Sequence, residues 1–365
     1  MKVLQIIDVY NRAVGAQKVY DAYCSYCESK KIDLDRYTIY KSRNQLLKCL
    51  IEKNSNNLLK KVFQQTEGTR RLSHLIKNSG YNKIVSFLDR SNVMSIMAAK
   101  GKISVIATVH NPPVVQYEKL GKLKKIVFAF LKHCYNKKNV QVIAVSKQVK
   151  ESLESLGVRN VKIVYNPLVV NENAVEAFNF SKPYFVAVGR LSYQKAHWKL
   201  IKAVSILKSK YHKEINLVIV GDGLLIESSK ELAIALGVQN LITFTGFVEN
   251  PFPIISEAFC MIFSSYFEGF PITVLESFHC NCPVIGAQIA LPEEIRSEIP
   301  YKEYYYENKN LEENLKSSVF ENDDYNLADI MNKALENSDI LQKIAETGKK
   351  WVSENCGIEN FNQYE

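Results

Sequence analysis

The chain has 365 residues, 47% of them hydrophobic, and a formal charge of +9. That length is too great for one ordinary core and suits two domains of about 150–180 residues each. No apolar run approaches the roughly 20 residues a membrane span needs. The eight cysteines are scattered without a paired zinc pattern and are expected as reduced thiols.

The charge is segregated. Residues 1–170 hold 30 Lys and Arg against 11 Asp and Glu, a balance of +19, whereas residues 171–365 hold 17 against 27, or −10. An anionic partner for the first half follows, with nucleic acid and anionic lipid as candidates. The start, through Asp8, turns acidic too soon for a secretory signal and is expected to be a first strand, in a protein of the cytoplasm.

Strands are predicted at residues 3–7, 37–40, 83–87, 103–109, 140–145 and 161–165, each an apolar run between polar punctuation. Near-continuous apolar strands separated by helical lengths predict a parallel sheet covered on both faces. Two basic stretches lie in this half. Residues 41–61 mix Leu46, Leu47, Leu50, Leu58 and Leu59 with Lys48, Lys53, Lys60 and Lys61. In residues 119–138, Leu120, Leu123, Val127, Phe130 and Leu131 fall at helical spacing, with Lys119, Lys122, Lys124, Lys125 and Lys132 among them. Basic amphipathic helices suit an anionic membrane surface, although an ordinary surface helix also packs Leu inward and exposes Lys. No nucleic-acid motif accompanies the charge, and no nucleic-acid partner is expected. His110 ends a predicted strand, with Asn111-Pro112-Pro113 turning the chain; a lone His there serves structure more often than chemistry.

Residues 168–182 lose the alternation and are expected to be a linker. Strands resume at 184–188, 216–220, 241–244, 259–263 and 283–285, so two doubly wound domains with a cleft between them are predicted. Gly189 closes the first of these strands, and Arg190 and Lys195 follow on a strand-to-helix loop. Two cations beyond a strand's carboxyl end suit a diphosphate, Arg as a fork and Lys as a point charge. Gly221-Asp222-Gly223 lacks a full dinucleotide pattern, since Leu224, Leu225 and Ile226 follow, which argues against a dehydrogenase; its glycines are expected to serve a turn. Glu268 and Glu276 flank a turn with Gly269 and Pro271 that opens a helix. Free N–H groups at that start favour an anion, and the carboxylates suit sugar hydroxyls. No acidic metal site is evident.

These pieces together resemble the retaining glycosyltransferases of sequence family 4. The resemblance rests on Val188-Gly-Arg-Leu with Lys195, Val220-Gly-Asp-Gly223, Thr245-Gly-Phe247, Glu268-Gly-Phe-Pro with Glu276, and Cys282-Pro-Val-Ile285, in the family's order over residues 183–295. Gly15-Ala16, His110 and Val145-Ser146 match more loosely. Val14, Asn166-Pro167 and residues 288–291 depart from the family's glycine-bearing pattern and leave the sugar open. The resemblance implies the GT-B fold: two doubly wound Rossmann-like domains facing a central cleft, residues 1–170 on the acceptor side and 171–345 on the donor side. A last helix, about 345–365, would pack back on the first domain.

It also implies transfer of a hexose, with retention, from a nucleotide diphosphate sugar (UDP favoured over GDP) to a lipid-linked or growing surface glycan such as capsule or O-antigen. No cofactor or metal is expected, and the protein would sit peripherally on the inner face of the cytoplasmic membrane. Arg190 and Lys195 would stabilise the departing diphosphate, helped by backbone groups of Gly269, Phe270, Pro271, Ile272 and Thr273, with Gly15 and Gly189 allowing close approach. Glu276 would hold ribose, Glu268 the sugar hydroxyls, and His110 the sugar from the first domain. A sugar-nucleotide epimerase of the same fold, a non-catalytic sugar-nucleotide-binding relative, and a membrane-surface adaptor are the competing readings.

Overall fold

A computed structural model describes residues 1–10, 15–41, 47–51, 58–170, 180, 183–307 and 322–365. The chain forms two compact units, Met1–Val169 with Gly357–Glu365, and Val170–Cys356.

The first unit runs β1 (Lys2–Ile7), α1 (Gly15–Ser29), β2 (Asp33–Tyr40), β3 (Lys48–Ile51), α2 (Leu58–Ser79), β4 (Lys83–Phe87), α3 (Asp89–Ala99), β5 (Ser104–Val109), α4 (Pro113–Gln116), α5 (Lys124–Tyr135), β6 (Val140–Ala144), α6 (Lys147–Ser155) and β7 (Val161–Ile163). Its strands pair in parallel in the order β3-β2-β1-β4-β5-β6-β7. Helices cover both faces of such a sheet, which is why every residue of β4 is buried. The order reverses between β1 and β4, and doubly wound sheets bind ligands beyond the strand ends at such a reversal.

Residues 357–365 close this unit. Phe361 is fully buried against the rings of Tyr23 and Tyr26, with centroids 5.2 and 5.6 Å away. Nζ of Lys83 donates to the carbonyls of Tyr364 and Glu365 at 2.6 and 2.9 Å, which compensates its burial.

The second unit runs β8 (Tyr184–Val188), α7 (His197–Tyr211), β9 (Asn216–Val220), α8 (Ile226–Ala235), β10 (Ile242–Gly246), α9 (Phe252–Ser256), β11 (Cys260–Phe263), α10 (Ile272–His279), β12 (Val284–Ala287), α11 (Glu293–Arg296), β13 (Tyr305–Tyr306), α12 (Asn322–Glu336) and α13 (Ser338–Asn355). The sheet order is β10-β9-β8-β11-β12-β13, again parallel, reversing between β8 and β11. Lys199 and Lys202 of α7 are each 1% exposed and pair with Asp323 (2.9 Å) and Asp324 (3.6 Å) of α12. Charges at such depth persist because each has an opposite partner.

Three details differ from the sequence reading. The short strands β3 and β13 were not anticipated. Residues 41–61 are not one amphipathic helix: 48–51 form a strand with Leu50 and Ile51 buried, while 42–46 and 52–57 lie outside the described residues. The return to the first unit comes at Gly357, not near 345. The helix before it stays in the second unit because it packs on α10, where bare Gly348 lies against the ring of Phe278.

Candidate active site

The loops after β8 and β11 meet at the reversal of the second sheet, since their strands are paired neighbours. The first loop carries Gly189, Arg190 and Lys195; the second carries Glu268 through Pro271. Nζ of Lys195 donates to Oε1 of Glu268 at 2.7 Å, the two side chains being only 17% and 7% exposed.

Several contacts hold this pair. Nε2 of Gln194 donates to the carbonyl of Phe267 (2.9 Å), and the N–H of Tyr266 donates to the carbonyl of Gln194 (2.8 Å). The Ser264 hydroxyl lies 2.9 and 3.0 Å from the carbonyls of Lys195 and Ala196. Ala196 sits in the left-handed region, φ 49° and ψ 40°, a conformation a side-chain-bearing residue adopts only when its surroundings enforce it. The loop therefore ends in a fixed geometry at Ala196, one residue after Lys195, and α7 starts at once. His197, the first residue of that helix, is buried and has no hydrogen-bond partner at Nδ1 among the described residues. Burial first, and Lys195 second, push its imidazole down to about 3, so it is neutral at pH 7.

The glycines here are steric. A Cβ on Gly221 would lie 2.0 Å from the Gly189 carbonyl oxygen, and one on Gly223 would lie 2.2 Å from that of Leu191. The N–H of Leu191 donates to the carbonyl of Asp222 at 3.0 Å. The turn after β9 thus packs directly against the loop bearing Arg190. A Cβ on Gly189 would press on Lys195 itself, 3.2 Å from Cε.

Arg190 is exposed and makes no hydrogen bond or ion pair among the described residues. Lys195 is therefore neutralised by Glu268 while Arg190 remains a free cation. Pro271 is the N-cap of α10. The N–H of Val274 bonds back to Pro271 (3.1 Å), whereas those of Ile272 and Thr273 have no place in the helical ladder. Phe270 and Ile272 are buried, and Oγ1 of Thr273 has no hydrogen-bond partner among the described residues. Glu276 is 0% exposed, so its carboxylate lies within the α10 packing. Residues 288–290 form a 3-10 turn, with Gln288 and Ile289 half-buried, and Leu291 is buried.

In the first unit, Gly15 is the first residue of α1, and Val14 lies outside the described residues. His110 follows β5, 9% exposed, with Nε2 3.0 Å from Oγ1 of Thr108 and its ring 5.9 Å from that of Phe87. Burial lowers its pKa to about 4, so it too is neutral. Sequence reasoning missed Gln194 and Ser264, whose only signal was polarity beside a motif, and it missed the roles of Asp8, just after β1, and Asp89, the first residue of α3.

The basic stretch beyond His110 folds as a 3-10 turn (Glu118–Leu123) and α5. Leu120, Leu123, Ile126 and Phe130 are 41%, 62%, 69% and 44% exposed. Four large apolar side chains face solvent beside exposed Lys122, Lys125 and Lys132, with Lys124 half-buried. The side chain of Lys119 lies outside the described residues. No described helix is long and apolar enough to cross a membrane. Among the described residues no group of three or more His, Cys, Asp or Glu converges as a metal site would.

Two doubly wound parallel-sheet units define the class: a protein of the GT-B fold. Comparison with known proteins agrees. The model "Glycosyl transferases group 1" matches residues 171–351, and "Glycosyltransferase Family 4" matches 54–172. The chain belongs to the group 1 glycosyltransferases.

An uncharacterized glycosyltransferase of Methanocaldococcus jannaschii is 26% identical, covering 80% of this chain and 81% of its own. The N-acetylgalactosamine-N,N'-diacetylbacillosaminyl-diphospho-undecaprenol 4-alpha-N-acetylgalactosaminyltransferase of Campylobacter jejuni is 27% identical over 68% of each chain. Among solved structures, Anabaena HepE in complex with UDP-glucose has a TM-score of 0.72 at 15% identity, covering 100% of this chain and 98% of that one. At that identity the likeness concerns the fold.

Proposed function

We propose that this glycosyltransferase moves a hexose, with retention, from a UDP-sugar to a lipid-linked or growing cell-surface glycan at an anionic membrane face. The observation that carries the reading is the Lys195–Glu268 pair, 2.7 Å apart on neighbouring loops at the sheet reversal, beside unpaired Arg190 and the open first turn of α10. Arg190 takes the β-phosphate as a fork. Lys195, already oriented by Glu268, meets negative charge as it grows on the departing diphosphate, and the N–H groups of Ile272 and Thr273 add to it. Preorganised donors of this kind supply the largest share of rate in charge-developing reactions. Glu268 and neutral His110 serve the sugar, and Gly15 and Gly189 keep backbone close to phosphate. Glu276 reaches ribose only if α10 shifts, since the carboxylate is enclosed. The two cations replace a divalent metal.

Support for the donor comes from the HepE complex with UDP-glucose, and for the acceptor from the diphospho-undecaprenol named for the Campylobacter relative. The exposed apolar row with its lysines supports the membrane face. A thermal-shift panel of UDP- and GDP-sugars, followed by donor consumption with and without added acceptor, tests the reading. Stabilisation by UDP-sugars and acceptor-dependent release of UDP are expected. Stabilisation by GDP-sugars alone, conversion of the sugar without any acceptor, or no turnover of any donor refutes it.

A further inference from the structure

A transferase needs a second substrate, and the strand reversal of the first unit has chemistry opposite to that of the second. Register aligns Ile7 with Phe87 and Phe87 with Thr108. The residues just beyond these strands, Asp8, Leu88 and His110, therefore emerge side by side at strand spacing, roughly 5 Å, with Asp89 opening α3 next to them. Among the described residues the one cation whose charge reaches Asp8 is Arg90, which also bonds the Tyr40 hydroxyl. Arg90 is exposed, and His110 is neutral for the reason given above. At Asp8 and His110 themselves an anion would meet a carboxylate and an uncharged imidazole. A neutral, hydroxyl-rich ligand finds hydrogen-bond acceptors.

The two carboxylates differ. Asp89 is saturated: Oδ2 accepts from the Tyr117 hydroxyl (2.8 Å) and Nε2 of Gln116 (3.1 Å), and Oδ1 from the Tyr135 hydroxyl (3.4 Å). Its role is to brace the turn from β4 into α3. Asp8 is half-satisfied. Oδ1 accepts from the N–H and the hydroxyl of Ser91, both at 2.8 Å. Oδ2 has no partner among the described residues and is not sealed from solvent. A second atom is open in the same way. Nδ1 of His110, on a side chain nine-tenths buried, also lacks a partner among the described residues and is not sealed. Two built, immobilised groups thus leave one hydrogen-bonding atom each at the end of the sheet.

The geometry points to Asp8 as the residue that receives the acceptor: its free carboxylate oxygen takes a hydrogen bond from a sugar hydroxyl of the acceptor glycan. Ser91 fixes the carboxyl in the one orientation that leaves Oδ2 outward. The strand β1 behind it, buried on both faces, gives the rigidity positioning requires. This rests on the glycosyltransferase reading above and adds to it which side chain selects the hydroxyl. Asp8 binds and orients; nothing here assigns it the proton.

Charge state makes the idea measurable. Burial raises the Asp8 carboxyl to about 6, opposed by its Ser91 bonds and by Arg90, with Asp89 adding to the rise. Tyr40 from β2 and Tyr117 beyond α4 also feel its charge, and burial holds both phenols protonated. His110 titrates two pH units lower. Acceptor binding is therefore expected to weaken as pH falls through about 6, because a protonated carboxyl is a poorer acceptor.

The experiment uses the full chain, UDP, a UDP-sugar that the panel above selects, and an octyl N-acetylhexosaminide as acceptor probe, comparing wild type, Asp8→Asn and Asp8→Glu from pH 5 to 8. Asp8→Asn keeps an oxygen for Ser91, so the fold and the UDP-induced thermal shift should persist. Acceptor KM should rise at least tenfold at pH 8, donor KM should stay within twofold, and the weakening near pH 6 should vanish; Asp8→Glu should recover part of the affinity. An unchanged acceptor KM overturns the inference, as does a rise in donor KM instead. Loss of the UDP shift with the fold intact would place Asp8 in donor binding and overturn it as well. If wild type turns over no donor, the underlying reading fails and takes this one with it.

Discussion

At the residue scale, Lys195 and Arg190 look equivalent in sequence and are not. Lys195 is locked to a buried carboxylate and lies across Gly189, whereas Arg190 is solvated and unpaired. Both Arg190→Ala and Lys195→Ala should lower turnover by about 10²-fold or more, as loss of a preorganised charge partner does. Only Lys195→Ala should also cost stability, about 1–3 kcal/mol, because it strands Glu268. Melting curves beside initial rates test this; equal melting temperatures for the two variants would contradict the structural difference. Gly221 permits a sharper test. Alanine there would place Cβ 2.0 Å from a backbone oxygen at φ 141°. A loss of roughly 2 kcal/mol or more is expected, together with weakened binding of UDP, since the displaced partner is the Gly189–Leu191 loop.

At the element scale, helices carry information that their sequences alone conceal. Replacing glycine by alanine within a helix ordinarily gains about 1 kcal/mol. In α13 the new methyl of Gly348→Ala would meet the Phe278 ring at 2.3 Å, so a net loss of about 1–2 kcal/mol is expected by chemical denaturation. Pairing it with Phe278→Leu should recover part of that loss, and no recovery would mean that the contact is not the cause. The α5 region has the reverse character: its apolar side chains are unburied. Leu123→Ser and Ile126→Ser should leave melting unchanged, because both sites are more than 60% exposed, yet should reduce sedimentation with anionic vesicles.

At the scale of the whole molecule, the first half's balance of +19 meets that exposed apolar row. Vesicle binding should rise with anionic lipid content and fall with salt, each interfacial Lys contributing about 1 kcal/mol. Changing Lys122, Lys124 and Lys125 to Glu should release the protein while sparing turnover of a soluble acceptor, since none of the three belongs to the loops that carry Arg190, Lys195, Glu268, Asp8 or His110. Binding indifferent to salt and lipid charge would mark a merely solvated surface. The closing segment belongs to this scale too. Lys83 and the Tyr23, Tyr26 and Phe361 rings tie residues 357–365 to the first unit. Phe361→Ala should therefore cost about 3–5 kcal/mol as a buried aromatic truncation.

Sequence by itself determined the alternation of strands and helices, because fully covered parallel strands must be apolar along their length, and it located Arg190, Lys195, Glu268 and the glycine turns. The short strands β3 and β13 escaped it because few residues carry no period. It also placed the return to the first unit too early, since only packing of Gly348 on Phe278 decides where α13 belongs. Tertiary structure alone decided which charges meet. Lys195 takes Glu268, 73 residues away, because β8 and β11 are neighbours in the sheet and not in the chain. The same non-local pairing encloses Glu276 and brings Asp8 beside Ser91. Proximity of that kind is fixed by sheet order and register, for which a linear pattern of residue types holds no physical record.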